Sequence, residues 1–167
     1  MKNLWLYITG GIILLLVIFR KPVTKTAIAV ASKLTRGLRN NNPGNIRLTP
    51  GSVWVGEVAG NDKAFKTFVD MPHGYRAIFV TLNGYLKKGF NTIEKIISRY
   101  APPSDNNHTD AYIATVEKRT GIPRGLILTA ANREHLKKIV TAISYVENGI
   151  AADPVQVNDG FNLYYNG

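Results

Sequence analysis

Residues Leu4 to Phe19, LWLYITGGIILLLVIF, run for sixteen positions without a charged side chain and stop at Arg20-Lys21-Pro22. A membrane span takes about 20 apolar residues, with a lower bound near ~17, so this run is short for one. It is nevertheless flanked like one. Lys2 and Arg20 can snorkel to the two interfaces, and Trp5 and Tyr7 stand where an aromatic belt lies. The competing reading is a cleaved signal peptide, which needs a small-residue site soon after the apolar core. Ala29-Val30-Ala31 has that pattern but falls well beyond the basic stop. We therefore read 1–21 as an uncleaved single-pass transmembrane anchor through residues 4–19. Residues 22–38 form a basic linker or helix, and 39–167 one folded domain of ordinary size.

The charge balance follows the same division. The chain has 21 Lys+Arg against 11 Asp+Glu. Residues 1–47 carry eight of those bases and no acid, whereas 48–167 carry thirteen bases against all eleven acids. The basicity belongs to the arm beside the anchor, so no nucleic-acid partner is expected for the domain. Counted by the positive-inside rule, it favours a cytoplasmic domain in a cell membrane. With no Cys, a disulfide framework, thiolate catalysis and Cys-based zinc sites are all excluded. His73, His108 and His135 lack metal-ligand spacing, and no cofactor or metal is implied.

The domain opens on the turn-forming run Asn40-Asn41-Asn42-Pro43-Gly44-Asn45. Val53-Trp54-Val55 and Phe65 to Val69 read as two short strands around a Gly60-Asn61-Asp62 turn. Helical periodicity then dominates. It covers His73 to Lys88, then Asn91 to Tyr100 with Asn91 and Glu94 in capping-box spacing. A third helix is capped by Thr109 or Asp110 and runs to Gly121, and a last long one runs from Asn132 to Asn148-Gly149. The fold class is α+β, mostly α, with one short hairpin.

The segment Arg36-Gly37-Leu38-Arg39-Asn40-Asn41-Asn42-Pro43-Gly44-Asn45-Ile46-Arg47 resembles the RG-x-RNNNPGNIR signature of a family of phage and prophage proteins. That family is related to lysozyme-like muramidases and lytic transglycosylases, and some members are described as virion structural proteins. The likeness continues in order through Trp54-x-Gly56, Phe65-x-x-Phe68, Gly74-Tyr75-Arg76-Ala77, Asn91-Thr92-Ile93 and Arg99-Tyr100-Ala101-Pro102. It ends with Asp105-Asn106, Thr109-x-x-Tyr112-Ile113 and Glu147-Asn148-Gly149. The resemblance implies a lysozyme-like domain that cuts the β-1,4 bond between N-acetylmuramic acid and N-acetylglucosamine. Peptidoglycan strands would be the substrate, and other virion proteins are possible partners.

Cleaving a glycosidic bond needs a carboxylic acid that keeps its proton near neutral pH. Most of the acids have plainer roles. Glu94 sits in a first helical turn, Glu134 is spaced to pair with Lys138, Asp110 reads as a cap, and Asp62 and Asp105 lie in turns. Glu147 ends an apolar helix, where the partial negative charge of the carbonyl end favours the protonated form. It also resembles the Glu-Ser-Gly that closes the catalytic helix of lysozyme-like glucosaminidases and transglycosylases. In those proteins the Glu-terminated helix precedes an Asn-rich segment and a Trp-x-Gly. Here the order is reversed, which suggests a circularly permuted arrangement that returns Glu147 to the same site. Glu57, directly after Trp54-Val55-Gly56, is the runner-up acid. Glu117 ranks third, because Lys118 and Arg119 stand beside it.

Asn side chains offer donors and acceptors to sugar hydroxyls and N-acetyl groups, and aromatic rings stack on pyranose faces. Asn41, Asn42, Asn45, Trp54 and Tyr112 are accordingly the expected substrate contacts. No second carboxylate is spaced as a nucleophile. That suits either assistance by the substrate's own groups or water oriented by Asp62 or Asp70. The expected protein is a membrane-anchored, peptidoglycan-degrading phage enzyme for infection or lysis. It would sit in an internal virion membrane, where the positive-inside rule need not hold, or in the host inner membrane. The rival expectation is a virion membrane protein whose lysozyme-like domain binds glycan without cutting it.

Overall fold

The computed structural model describes residues 34–167. The anchor read at 1–21 and most of the basic linker at 22–38 lie outside the described residues. Among the described residues no helix is long and apolar enough to cross a membrane.

The elements follow one another as a short helix α1 (Arg36–Arg39), strands β1 (Glu57–Val58) and β2 (Thr67–Phe68), and then α2 (Met71–Lys87) and α3 (Ile93–Tyr100). A 3-10 turn at Pro103–Asp105 leads to α4 (Thr109–Thr120), α5 (Arg133–Asn148) and α6 (Pro154–Tyr165). The strands pair antiparallel, with Glu57 opposite Phe68 and Val58 opposite Thr67. A single bridge from Arg47 to Phe65 continues the pairing back toward the Asn-rich turn.

Helix α2 explains most of the packing. Asp70 caps it by accepting from His73 N at 3.0 Å, and Pro72 occupies its first turn, where a missing N–H costs nothing. Its apolar face, including Tyr75, Ile78, Phe79 and Leu82, is fully buried. It meets Ile93, Ile96 and Ile97 from α3 and Ile139, Val140 and Ile143 from α5 in one core. Two glycines allow backbones to approach closely. A Cβ on Gly160 of α6 would sit 2.5 Å from Tyr75 Cβ, and one on Gly74 would collide with the Asn41 carbonyl. The first contact seats α6 on α2, where Phe161 meets Phe79 edge to face at 5.3 Å. The second clamps the Asn-rich turn onto the start of α2.

Several elements differ from the sequence expectation. Val53-Trp54-Val55 is no strand: Val53 is 90% exposed, and Glu57 N turns back to Trp54 O at 2.9 Å. Gly56, with φ of 76°, makes that turn, so pairing begins only at Glu57. Thr92, not Asn91, caps α3 by accepting from Lys95 N, while Asn91 O accepts from Leu128 N at 2.7 Å. At α4 neither Thr109 nor Asp110 is the cap. Thr109 already lies in the helix and donates its hydroxyl to Ala101 O at 2.7 Å. Glu134 pairs with Lys137 at 2.7 Å, one residue short of Lys138. Helix α6 was not anticipated. Its signal was the Asp153-Pro154 pair, a capping side chain followed by proline at the first helical position.

Candidate active site

The Asn-rich turn and the end of α5 meet, and the contacts are specific. Gly149 ends α5 in the left-handed conformation, with φ of 72°. The residue before it, Asn148, is buried and bridges the two segments. It donates to Pro43 O at 2.8 Å and Ser144 O at 2.9 Å, and accepts from Thr35 Oγ1 at 2.7 Å. Tyr100 at the end of α3 donates to Gly44 O from the other side. Sequence reasoning gave neither residue a role, although both lie inside the motifs that carry the family resemblance. Asn41 and Asn45 adopt positive φ, 49° and 47°, which Asn tolerates better than most residues.

This scaffold sets Glu147, in the last turn of α5, between two neutral donors. Asn45 Nδ2 donates to Glu147 Oε2 at 2.7 Å, and the Tyr112 hydroxyl donates to Oε1 at 3.0 Å. No Lys, Arg or His forms an ion pair with it among the described residues. Burial raises the Glu147 pKa, and the two hydrogen bonds pull it back only in part. The helix end acts in the same upward direction. Burial, with the nearby Glu147 charge, holds the hydroxyls of Tyr100 and Tyr112 well above the usual tyrosine range, so both remain O–H donors. Asn45 Oδ1 is buried without a partner. Turning that amide end for end would offer Oδ1 to a protonated Glu147, so one contact can serve both charge states.

Glu147 and Asn45 line two different cavities. Glu147 lines a pocket of about 330 Å³ with Asn107, His108, Ala111, Tyr112, Thr115 and Val146. Asn45 lines a cleft of about 350 Å³ whose walls include Arg47, Trp54, Tyr85, Tyr100 and Asp105. Trp54 is half-buried there, with its Nε1 donating to Ser52 Oγ at 2.7 Å.

The other expected site residues are placed differently. Asn42 is 1% exposed and fully engaged: its amide donates to Ile46 O and Lys66 O, and its Oδ1 accepts from Ile46 N. It shapes the turn and is out of a ligand's reach. Asn41 latches the turn to the strand end through Phe68 O at 3.1 Å and Val69 O at 3.3 Å. Tyr112 is 7% exposed and touches the acid itself, so it positions Glu147 and is not a stacking surface. Glu57 is held by the ammonium of buried Lys66, with Nζ at 2.8 and 2.9 Å from its two oxygens, and also accepts from Trp54 N. Glu117 is lowered by Arg124, whose backbone N–H and guanidinium both bind it; Lys118 and Arg119 are not its partners. Asp62 binds Asn40, Ala64 N and Phe65 N, and Asp70 caps α2, so both acids serve structure. No cluster that could hold a metal ion occurs among the described residues.

No protein-family model matches the chain. Protein P5 of Pseudoalteromonas phage PM2 is 39% identical to it over 136 residues, which covers 75% of this chain and 82% of that protein. The chain therefore belongs to the family of phage PM2 protein P5.

Proposed function

We propose that this phage protein cleaves peptidoglycan between N-acetylmuramic acid and N-acetylglucosamine, with Glu147 as the general acid. The observation that carries the reading is a half-buried carboxyl at a helix end between two neutral donors, with no cation paired with it among the described residues and a raised pKa. An acid near neutral pH needs these properties, and an incidental surface glutamate lacks them. The protein acts from a membrane through residues 4–19, opening the wall at infection or lysis.

Protonated Glu147 donates its proton to the glycosidic oxygen as the C1–O bond breaks, and the bonding pair stays with the leaving oxygen. A hydroxyl, of water or of the sugar itself, then bonds to C1 and returns a proton to the carboxylate. The donor hydrogen bonds from Asn45 and Tyr112 stabilise the carboxylate formed in between. The geometry favours capture by the sugar's own hydroxyl, as in a lytic transglycosylase. Asp62 and Asp70, the residues expected to orient water, are committed elsewhere. Trp54 and Asn45 remain the best-placed sugar contacts, in the cleft beyond the acid.

A second reading, a virion membrane protein that binds glycan without cutting it, is favoured by the engagement of both Glu147 oxygens. Release of dye from labelled sacculi by the full-length chain, alongside Glu147→Gln, separates the two. Release by wild type and not by the variant supports catalysis through Glu147. Equal release by both removes Glu147 from the mechanism. Sacculus binding without release by either protein supports the non-cutting reading.

A further inference from the structure

A cavity of about 720 Å³ lies between α4 and α5 and has no part in the chemistry above. Its walls are Thr115, Lys118 and Arg119 of α4 and Lys138, Thr141, Ala142 and Tyr145 of α5. Three cations therefore face one groove, and none of them has a carboxylate within ion-pair distance among the described residues. The nearest acids in sequence are taken: Glu117 by Arg124, and Glu134 by Lys137. The Arg119 guanidinium lies over the Tyr145 ring, 3.3 Å from its centre, which fixes the fork in place without using its donors. Thr115 lines both this groove and the pocket that holds Glu147, so the two adjoin.

We propose that this groove binds the carboxylate-bearing peptide substituents of the glycan strand, so that the protein selects peptide-substituted over bare glycan. The proposal rests on the reading of Glu147 as the cleavage site. A strand held at the acid presents its muramic acid lactyl group beside the scissile bond, and from there a peptide with several carboxylates extends outward. A groove holding three uncompensated cations and opening off the same pocket is complementary to that branch in charge and position. Arg119 offers a planar fork suited to one carboxylate, and Lys118 and Lys138 offer point charges for others. The domain's near balance of charge elsewhere makes this concentration local.

The test is calorimetric binding of two soluble ligands to the full-length chain: the disaccharide carrying its tetrapeptide, and the same disaccharide without it. We expect at least fivefold tighter binding of the peptide-bearing ligand, with the advantage shrinking as salt is raised. Lys118→Gln/Lys138→Gln should reduce the preference, leaving only what Arg119 supplies, and leave affinity for the bare disaccharide unchanged. The charge-preserving Lys118→Arg/Lys138→Arg should retain the preference. Equal affinity for the two ligands, or an undiminished preference in the Gln pair, overturns the proposal. Dye release from sacculi, measured on the same proteins, reports independently on the cleavage reading. A preference without release keeps the groove and removes the catalysis; release without a preference does the reverse.

Discussion

Beside the hairpin, a carboxyl withdrawn from water is met by an ammonium: Glu57 lies within 2.9 Å of Lys66 Nζ, and the Lys66 side chain is 1% exposed. At the end of α5, a carboxyl withdrawn from water is met only by an amide and a hydroxyl. Glu57 directly follows the Trp-x-Gly and Glu147 touches the Asn-rich turn through Asn45, and both qualified in the sequence as candidate acids. The partner decides what burial does. A buried cation turns the carboxylate into an anchor for the turn that carries Trp54, whereas two neutral donors offset the desolvation of Glu147 only in part and leave its pKa raised.

The largest effect expected from this contrast is on activity. Glu147→Gln should lower sacculus cleavage about 10²- to 10⁴-fold, the span typical of general acid catalysis. Glu57→Gln, assayed per folded molecule, should leave the rate within a few-fold of wild type. Comparable losses in both variants would erase the distinction.

The next effect is on stability and reverses the ranking. Lys66→Met leaves the Glu57 carboxylate with the Trp54 amide alone, and should destabilise the fold by about 3 kcal/mol, read from urea midpoints. Adding Glu57→Gln should restore much of that loss, because the charge to be solvated is gone. If the double variant is no more stable than Lys66→Met, the ion pair is not what anchors the turn.

How far these environments could be read in the sequence depended on the range of the contacts. Helices α2 to α5 were legible because their apolar spacing is local and repeats every three or four residues. The helix end at Asn148-Gly149 was legible for the same reason, but the burial that raises the Glu147 pKa comes from the tertiary fold and was not. The meeting of Asn45 with Glu147 was expected only through family resemblance, since nothing local links positions so distant. Lys66 was invisible as the partner of Glu57: a lysine in a short strand reads as solvent-facing, and only the tertiary fold buries it. Asn42 was misread because a side chain rich in donors and acceptors serves a turn as well as it serves a sugar. The α6 helix was overlooked for want of a regular apolar stripe, although its capping pair was present.

A smaller effect follows from linkage. The folded-state pKa of Glu147 lies above its ordinary value of 4.5, so the stability tied to its proton is fully present below that value. It is lost as pH rises through the folded pKa. Glu147→Gln carries no such dependence. The variant should therefore match wild type in thermal midpoint near pH 4 and exceed it progressively toward pH 8. Glu57→Gln should show no such gain, since it gives up the contacts to Lys66. A Glu147→Gln midpoint that falls below wild type as pH rises would mean that the ionised carboxylate is welcome in the fold, contrary to a burial-dominated site.

The finest test concerns Tyr112, whose hydroxyl donates to Glu147 Oε1 and holds the pKa lower than burial alone would. Tyr112→Phe removes that donor and keeps the ring in the core, where it is 7% exposed. The proton on Glu147 should then be retained to higher pH, so the alkaline limb of the cleavage profile moves upward. The rate at the optimum should fall modestly, because the carboxylate formed during the reaction loses one of its two stabilising hydrogen bonds. A hydroxyl with a purely packing role would change the amount of folded protein and leave the limb where it is. The limb should likewise stay in place in Glu57→Gln, whose contacts are to Lys66 and the Trp54 amide and not to Glu147. Movement of the limb in Tyr112→Phe alone ties the acid to the end of α5; movement in both variants would mean that the two carboxyls titrate as one system.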